Sequence, residues 1–302
     1  MRYSGIGGQA VMEGVMMKNK DKYAVSVRKP DGEIEVMISD YTGFIKNEKL
    51  KNMPIIRGVL NFVDSLVLGM QTLTYSASFF EEEEAGAKNE KDKKKEDMAM
   101  GATVALSIVL AIGIFMILPY FISSFFQKFI TSPFLLTLVE GAIRLSIFIA
   151  YVGLISFMKD IRRVYMYHGA EHKCINCIEH GMDLTVENVK KSSKQHKRCG
   201  TSFLLIVMLT SILFFMFIRV EAPLLKVGLR ILLIPVIAGV SYEFIRLAGR
   251  SDNLLVNLIS KPGLWMQNIT TREPDDDMIE VAIQSVEAVF DWRSYVEEVR
   301  KS

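Results

Sequence analysis

Three cysteines among 302 residues cannot close a fully paired disulfide framework, which points to a reducing compartment. An excess of one charge is missing too: 36 Lys and Arg against 34 Asp and Glu leave a formal net charge of +2. With no basic stripe interleaved with aromatics, that balance excludes nucleic acid as a partner. The first twenty residues, rich in Gly and Met, lack the continuous apolar core of a cleavable signal peptide. Gly5, Gly7, Gly8 and Gly14 bracket a stretch without the lysine and following helix of a phosphate loop, so it reads as a tight turn packed on the membrane face. No thioredoxin-like βαβ context surrounds Cys174 and Cys177, which argues against redox chemistry.

What is present is hydrophobicity in long runs. Half of the residues are hydrophobic, and they gather into segments rather than core-like periods. About 20 apolar helical residues cross a bilayer. Met98 to Gln127 carries no charge, Phe134 to Met158 is interrupted only by Glu140 and Arg144, Thr201 to Ile218 is uncharged, and Leu224 to Ile245 contains Arg230, Pro235 and Glu243. Glu140 and Arg144 lie one turn apart and are expected to pair, since each alone in hydrocarbon is costly. Basic residues crowd the connection from Lys159 to Arg198, the segment before the first run and the segment after the last. The positive-inside rule therefore places both termini and the long middle loop in the cytoplasm of a multi-pass cell-membrane protein.

The expected fold is mainly α: a polytopic membrane helical bundle of about four spans, with a small N-terminal β-hairpin region and a cytoplasmic His/Cys-rich loop. Residues 1–53 form the β-rich segment, where Tyr23 to Arg28 and Glu33 to Ile38 alternate around the Lys29-Pro30-Asp31-Gly32 turn. Residues 54–80 hold Arg57 and Asp64 and read as an interfacial or re-entrant helix. A charged linker over 81–97 precedes spans one and two (98–158), the loop (159–200) and spans three and four (201–245). The C-terminal segment (246–302) carries an amphipathic helix with apolar positions from Ile279 to Phe290, capped by Asp275, Asp276 and Asp277, packed as a surface element.

All four histidines and all three cysteines lie between His168 and Cys199. These are the side chains that best ligate a borderline divalent metal such as zinc. Two arrangements compete. His168-Gly169-Ala170-Glu171-His172 fits the H-x-x-E-H pattern, with both imidazoles on one helix face and Glu171 as general base. It follows span two closely and can continue that helix. The other is Cys174-x-x-Cys177 with His196-x-x-Cys199, a closed four-ligand knuckle. Glu243, near the cytoplasmic end of span four, is either a reserve ligand or an ion-pair partner of Arg246.

At these residues the chain resembles the YqhQ-like family of bacterial membrane proteins, also known as domain of unknown function 1385. The resemblance runs through GGQAVMEGVMM (Gly7 to Met17), YHGAEHK (Tyr167 to Lys173), HKRCGTSF (His196 to Phe203), SYEFIR (Ser241 to Arg246) and PGLWMQNITTREPDD (Pro262 to Asp276). It implies a multi-span protein of metal-dependent enzyme type without an established reaction. It also implies site roles for His168, Glu171, His172, His196 and Cys199, with Cys174 outside the motif. Lys197 stands where the family has proline, which bears on loop rigidity rather than ligation. The expectation is a metal-dependent hydrolase at the cytoplasmic membrane face, ligated by His168, His172 and either His196 or Cys199. A non-catalytic scaffold or accessory subunit with a structural metal site, docking a membrane or cytoplasmic protein partner, is the alternative, and a transporter the third.

Overall fold

The computed structural model describes residues 2–41, 43, 50, 52–81, 90–220, 222–249, 251 and 253–301, with side chains for all of these except 81 and 90–97. Of the expected linker at 81–97, residues 82–89 lie outside the described residues, and 90–97 open a helix that runs to Ile112. Two compact units emerge: Met1–Phe80, Leu154–Ile206 and Ala238–Ser302 form the first, Glu81–Gly153 and Val207–Ile237 the second.

The first unit is built on a four-stranded antiparallel sheet in the order β1 (Gly7–Val11), β2 (Gly14–Asn19), β3 (Lys22–Arg28) and β4 (Ile34–Asp40). The expected hairpin is β3–β4, with Arg28 opposite Ile34. The glycine-rich stretch before it is not a single tight turn. It forms a second hairpin, β1–β2, closed by Met12 and Glu13, with Glu13 at φ +49°. A Cβ at Gly14 would lie 2.2 Å from the Ser26 carbonyl, so only glycine lets β2 approach β3 there.

Both faces of the sheet are covered, which is why β2 shows no polar alternation. Val15 and Met17 join one core with Tyr167, Ile175, Ile279 and Val286, while Met16, Val25 and Val27 join another with Leu68. Leu68 belongs to α1 (Ile56–Glu81), one continuous helix. The first core comes from α5 (Lys159–Glu179) and α10 (Asp276–Val289), the latter buried along Met278, Ile279, Val281, Ala282, Ser285 and Val286. So α10 is a core-forming element, not a surface one. Asp275 makes no side-chain cap bond there, and a further helix, α11 (Trp292–Lys301), follows.

The second unit contains α2 (Glu90–Ile112), a π-helical turn (Gly113–Ile117), α3 (Leu118–Ser124) and most of α4 (Pro133–Ile155). α7 (Gly200–Phe215) and α8 (Pro223–Ala248) each contribute part of their length. Among the described residues, three segments are long and apolar enough to cross a membrane: Met98–Lys128, Pro133–Ile155 and Pro223–Ala248. The fourth expected run forms α7, whose 16 residues reach about 24 Å, short of a hydrocarbon core of about 30 Å.

Within this unit Glu140 pairs with Arg144 as expected (2.8 Å), but Arg230 completes the arrangement. Its two terminal nitrogens take both Glu140 oxygens at 2.6 and 2.7 Å, while Arg144 also donates to Ser211 at 3.0 Å. One carboxylate thus faces two guanidiniums. The Phe215 ring lies 5.0 and 4.8 Å from their carbons, and the Tyr120 ring 5.4 Å from that of Arg230, adding cation–π attraction.

Candidate metal centre

Helix α5 does not continue α4. The chain breaks at Ser156 to Met158, and α5 starts afresh with Met158 as its N-cap. Its far end is closed by Gly181 at φ +72°, whose N–H donates to the Ile178 carbonyl while Met182 N–H donates to that of Cys177. In between, His168 and His172 stand one turn apart on the same face, ring centroids 4.4 Å from each other.

Each imidazole is held by a backbone carbonyl. His168 Nδ1 lies 2.9 Å from the Thr270 oxygen at the end of α9 (Leu254–Thr270), and His172 Nδ1 lies 2.6 Å from the Lys194 oxygen. A carbonyl only accepts, so Nδ1 carries the hydrogen in both rings. Nε2 of each ring is then the atom left for a ligand role, the usual outer-shell arrangement of a metal-bound histidine. Cys199 sits where α7 begins, with its carbonyl accepting from Phe203 N–H, and its Sγ is 3.2 Å from His168 Nε2. One ligand atom from each of His168, His172 and Cys199 lies within 4.8 Å of the others. A tetrahedral ion with bonds of about 2.0 to 2.3 Å separates its ligand atoms by about 3.5 Å, so the three atoms are close enough to converge on one ion.

Electrostatics favours the ligating form of the sulfur. Burial would raise the Cys199 thiol, but the positive fields of His168 and His172 outweigh it and hold the group well below the usual thiol range. Burial would lower His168, yet the neighbouring Cys199 charge raises it above the ordinary imidazole range. Glu171 is 5% exposed, and burial pushes its carboxyl upward. Its Oε2 lies 3.9 Å from His168 Nε2. A cavity of about 220 Å³ opens on this group, lined by His168, Glu171, His172, His196, Arg198 and Cys199 among others.

The remaining sequence-derived residues take other places. His196 lies beside the group, its ring 5.6 Å from that of His172, but its Nε2 faces Glu179 at 3.6 Å and Arg198 at 3.3 Å. Glu243 is held by Arg57 at 2.6 and 2.5 Å, not by Arg246, and is not part of the ligand triangle. The knuckle arrangement is not assembled: Cys174 is fully buried in the apolar core, and Cys177 Sγ points at the Asp183 carbonyl, 3.4 Å away. At 100° per residue, Cys177 falls on the opposite side of α5 from His168 and His172.

Several supporting residues escaped sequence reasoning. Gln267 reads the His196 backbone twice, accepting from its N–H and donating to its carbonyl, both at 2.8 Å. Lys173 and Asn176 donate to four carbonyls between Lys190 and Gln195, and so fasten the loop to α5. Gly169 lets the chain at Arg272 cross the helix; a Cβ would stand 2.0 Å from the Arg272 carbonyl oxygen. Glu179 is buried under Arg198 and Ser4. Burial would raise its carboxyl, but the His196 contact, the Arg198 charge and Ser4 hold it at about 2. Gly169 and Gln267 both lie within the stretches that carry the family resemblance, which was the available signal.

These features define a membrane protein with, among the described residues, three bilayer-length helices and a largely buried His₂Cys group able to hold a metal ion. Residues 53–292 match a family described as protein of unknown function (DUF1385), and the chain belongs to that family. It is 31% identical over 302 residues to the uncharacterized protein YqhQ of Bacillus subtilis (strain 168), covering 98% of this chain and 95% of that one. No solved structure matches.

Proposed function

We propose that the protein is a metal-dependent hydrolase working at the cytoplasmic face of the cell membrane, with His168, His172 and Cys199 as ligands to a zinc-type divalent ion. The observation that carries this reading is the paired orientation of the histidines: both Nδ1–H groups are spent on backbone carbonyls, and both rings adjoin a cavity shared with the Cys199 sulfur. An ion bound there would supply Lewis-acid activation of water and of the substrate's electrophilic oxygen. Glu171 is the proton acceptor, since it follows His168 by three positions and lines the same cavity. Arg198 lines it too and orients an anionic substrate group. The excess of basic residues in the 159–198 connection supports a cytoplasmic position for the centre and both termini.

A purely structural metal explains the arrangement less well. The 190–196 loop is already fastened to α5 by Lys173 and Asn176, so an ion is not needed to staple it. The scaffold reading retains one point in its favour, the strong burial of the group. Metal analysis of purified full-length protein, combined with a screen of ester, phosphoester and amide substrates, separates the two. About one ion per chain in wild type and Glu171→Gln, with turnover only in wild type, is the expected result. Equal metal in both with no turnover in either favours the scaffold, and a wild-type chain without stoichiometric metal overturns both.

A further inference from the structure

A second, larger cavity of about 550 Å³ lies beside the first within the same unit, and the two share Gly8, His168, Arg198, Cys199 and Gly200. Its volume is that of a small-molecule site, which ranges over about 300–1,000 Å³. Away from the shared residues its walls are mainly apolar: Phe62 and Leu66 of α1, Val164 of α5, Phe203 and Leu204 of α7, and Ile245 of α8.

Two wall residues are also on the outside. Leu66 is 52% exposed and Leu204 42%. Leu66 belongs to a stripe of exposed apolar residues on α1, with Val63, Met70 and Leu73, at the spacing of one helix face. α9 shows a comparable stripe through Leu254, Leu255, Leu258, Ile259 and Trp265. Amphipathic helices with such faces lie in the membrane interface. The cavity therefore runs from the ligand triangle to a surface suited to lipid. At its polar end, the Arg198 Nε–H is buried without an acceptor, although the guanidinium's outer nitrogens reach Glu179 and the Ile6 carbonyl. Arg198 lines both cavities, and a guanidinium at a cavity wall pairs with a phosphate oxygen.

We infer that the ligand of this site is a lipid phosphate, with one hydrocarbon chain in the larger cavity and its phosphate between Arg198 and the ligand triangle. The inference rests on the proposed metal centre for what occurs at the phosphate, but not for the seating of the chain. Leu66 and Leu204 form the lateral opening through which the chain enters from the bilayer. A second chain, where present, stays outside along the α1 stripe.

The test uses full-length protein in phosphatidylcholine vesicles containing phosphatidic acid with a diazirine near the end of one acyl chain. Photolabelling should map to Phe62, Leu66, Phe203 or Leu204. Leu66→Trp and Leu204→Trp fill the opening and should lower that labelling about tenfold, with metal content unchanged as the check on folding. Leu73→Trp, on the stripe outside the cavity, should label like wild type. Labelling confined to Val63, Met70 and Leu73 overturns the inference, as does cavity labelling that both opening variants leave untouched. If a variant fails to fold, the wild-type map alone decides. A chain that labels in the cavity yet carries no metal overturns the metal reading only; a metal-loaded chain that labels only on the stripe overturns the lipid reading only.

Discussion

Glu140 among the apolar helices and the His168–His172–Cys199 triangle are both buried polar clusters, but they are finished differently. Both Glu140 oxygens are taken by Arg230, and Arg144 adds a third bond. At the triangle, a backbone carbonyl holds Nδ1 of each histidine, His168 Nε2 meets the Cys199 sulfur, and the group adjoins a cavity. Burying a charge is tolerated when its partners saturate it. A carboxylate taken up on both oxygens holds helices together, whereas imidazoles held from behind beside a cavity are prepared for a ligand. The first has spent both carboxylate oxygens on the fold; the second keeps its ligand atoms beside a cavity.

That contrast is broken most severely at Glu140. Glu140→Gln leaves two buried guanidiniums facing a neutral amide, which should cost about 3–5 kcal/mol. Denaturant titration in detergent micelles measures it, and the folded fraction should keep its metal content. A cost below about 1 kcal/mol would show that the cluster is not what fastens these helices.

The next effect is pH-dependent. Glu179 is held at about 2, against an ordinary value of 4.5. A carboxyl depressed in the folded state contributes stability that is full above the unfolded value and disappears as pH falls through the folded one. Acid titration of unfolding should therefore show stability draining between about pH 4.5 and 2, with Glu179→Gln flatter across that window. A variant that matches wild type throughout would show that the Arg198 and Ser4 contacts do not stabilise the charged form.

The smallest of these effects is at Gly169. Gly169→Ala drives a methyl onto the Arg272 carbonyl and should cost about 1–3 kcal/mol, partly offset by the better helix propensity of alanine, about 1 kcal/mol. Since Thr270 sits two residues from Arg272 and holds His168, metal affinity should fall as well, read by competition with a chelator. Unchanged affinity would mean that the 270–272 backbone does not position the imidazole.

What could be read from the sequence follows the range of the interactions. The Lys29-Pro30-Asp31-Gly32 turn and the alternation beside it are local, and they predicted β3–β4. The β1–β2 hairpin escaped because β2 is buried on both faces, which erases the period-two signal. The spacing of His168 and His172 placed them on one helix face, since i and i+4 depend only on helix geometry. The arrival of Cys199 beside them depends on tertiary packing, and no spacing encodes it. Cys174 and Cys177 were grouped with the histidines by proximity in sequence, but helical phase turns them into the core. The pairing of Glu243 with Arg57 spans 186 positions and was equally hidden.

X-ray absorption at the metal edge of zinc-reconstituted full-length protein tests the central claim most directly. The triangle predicts one sulfur at about 2.3 Å and two imidazole nitrogens at about 2.0–2.1 Å, with the sulfur shell lost in Cys199→Ser. A first shell of oxygen alone, or a sulfur signal that survives Cys199→Ser, would contradict it.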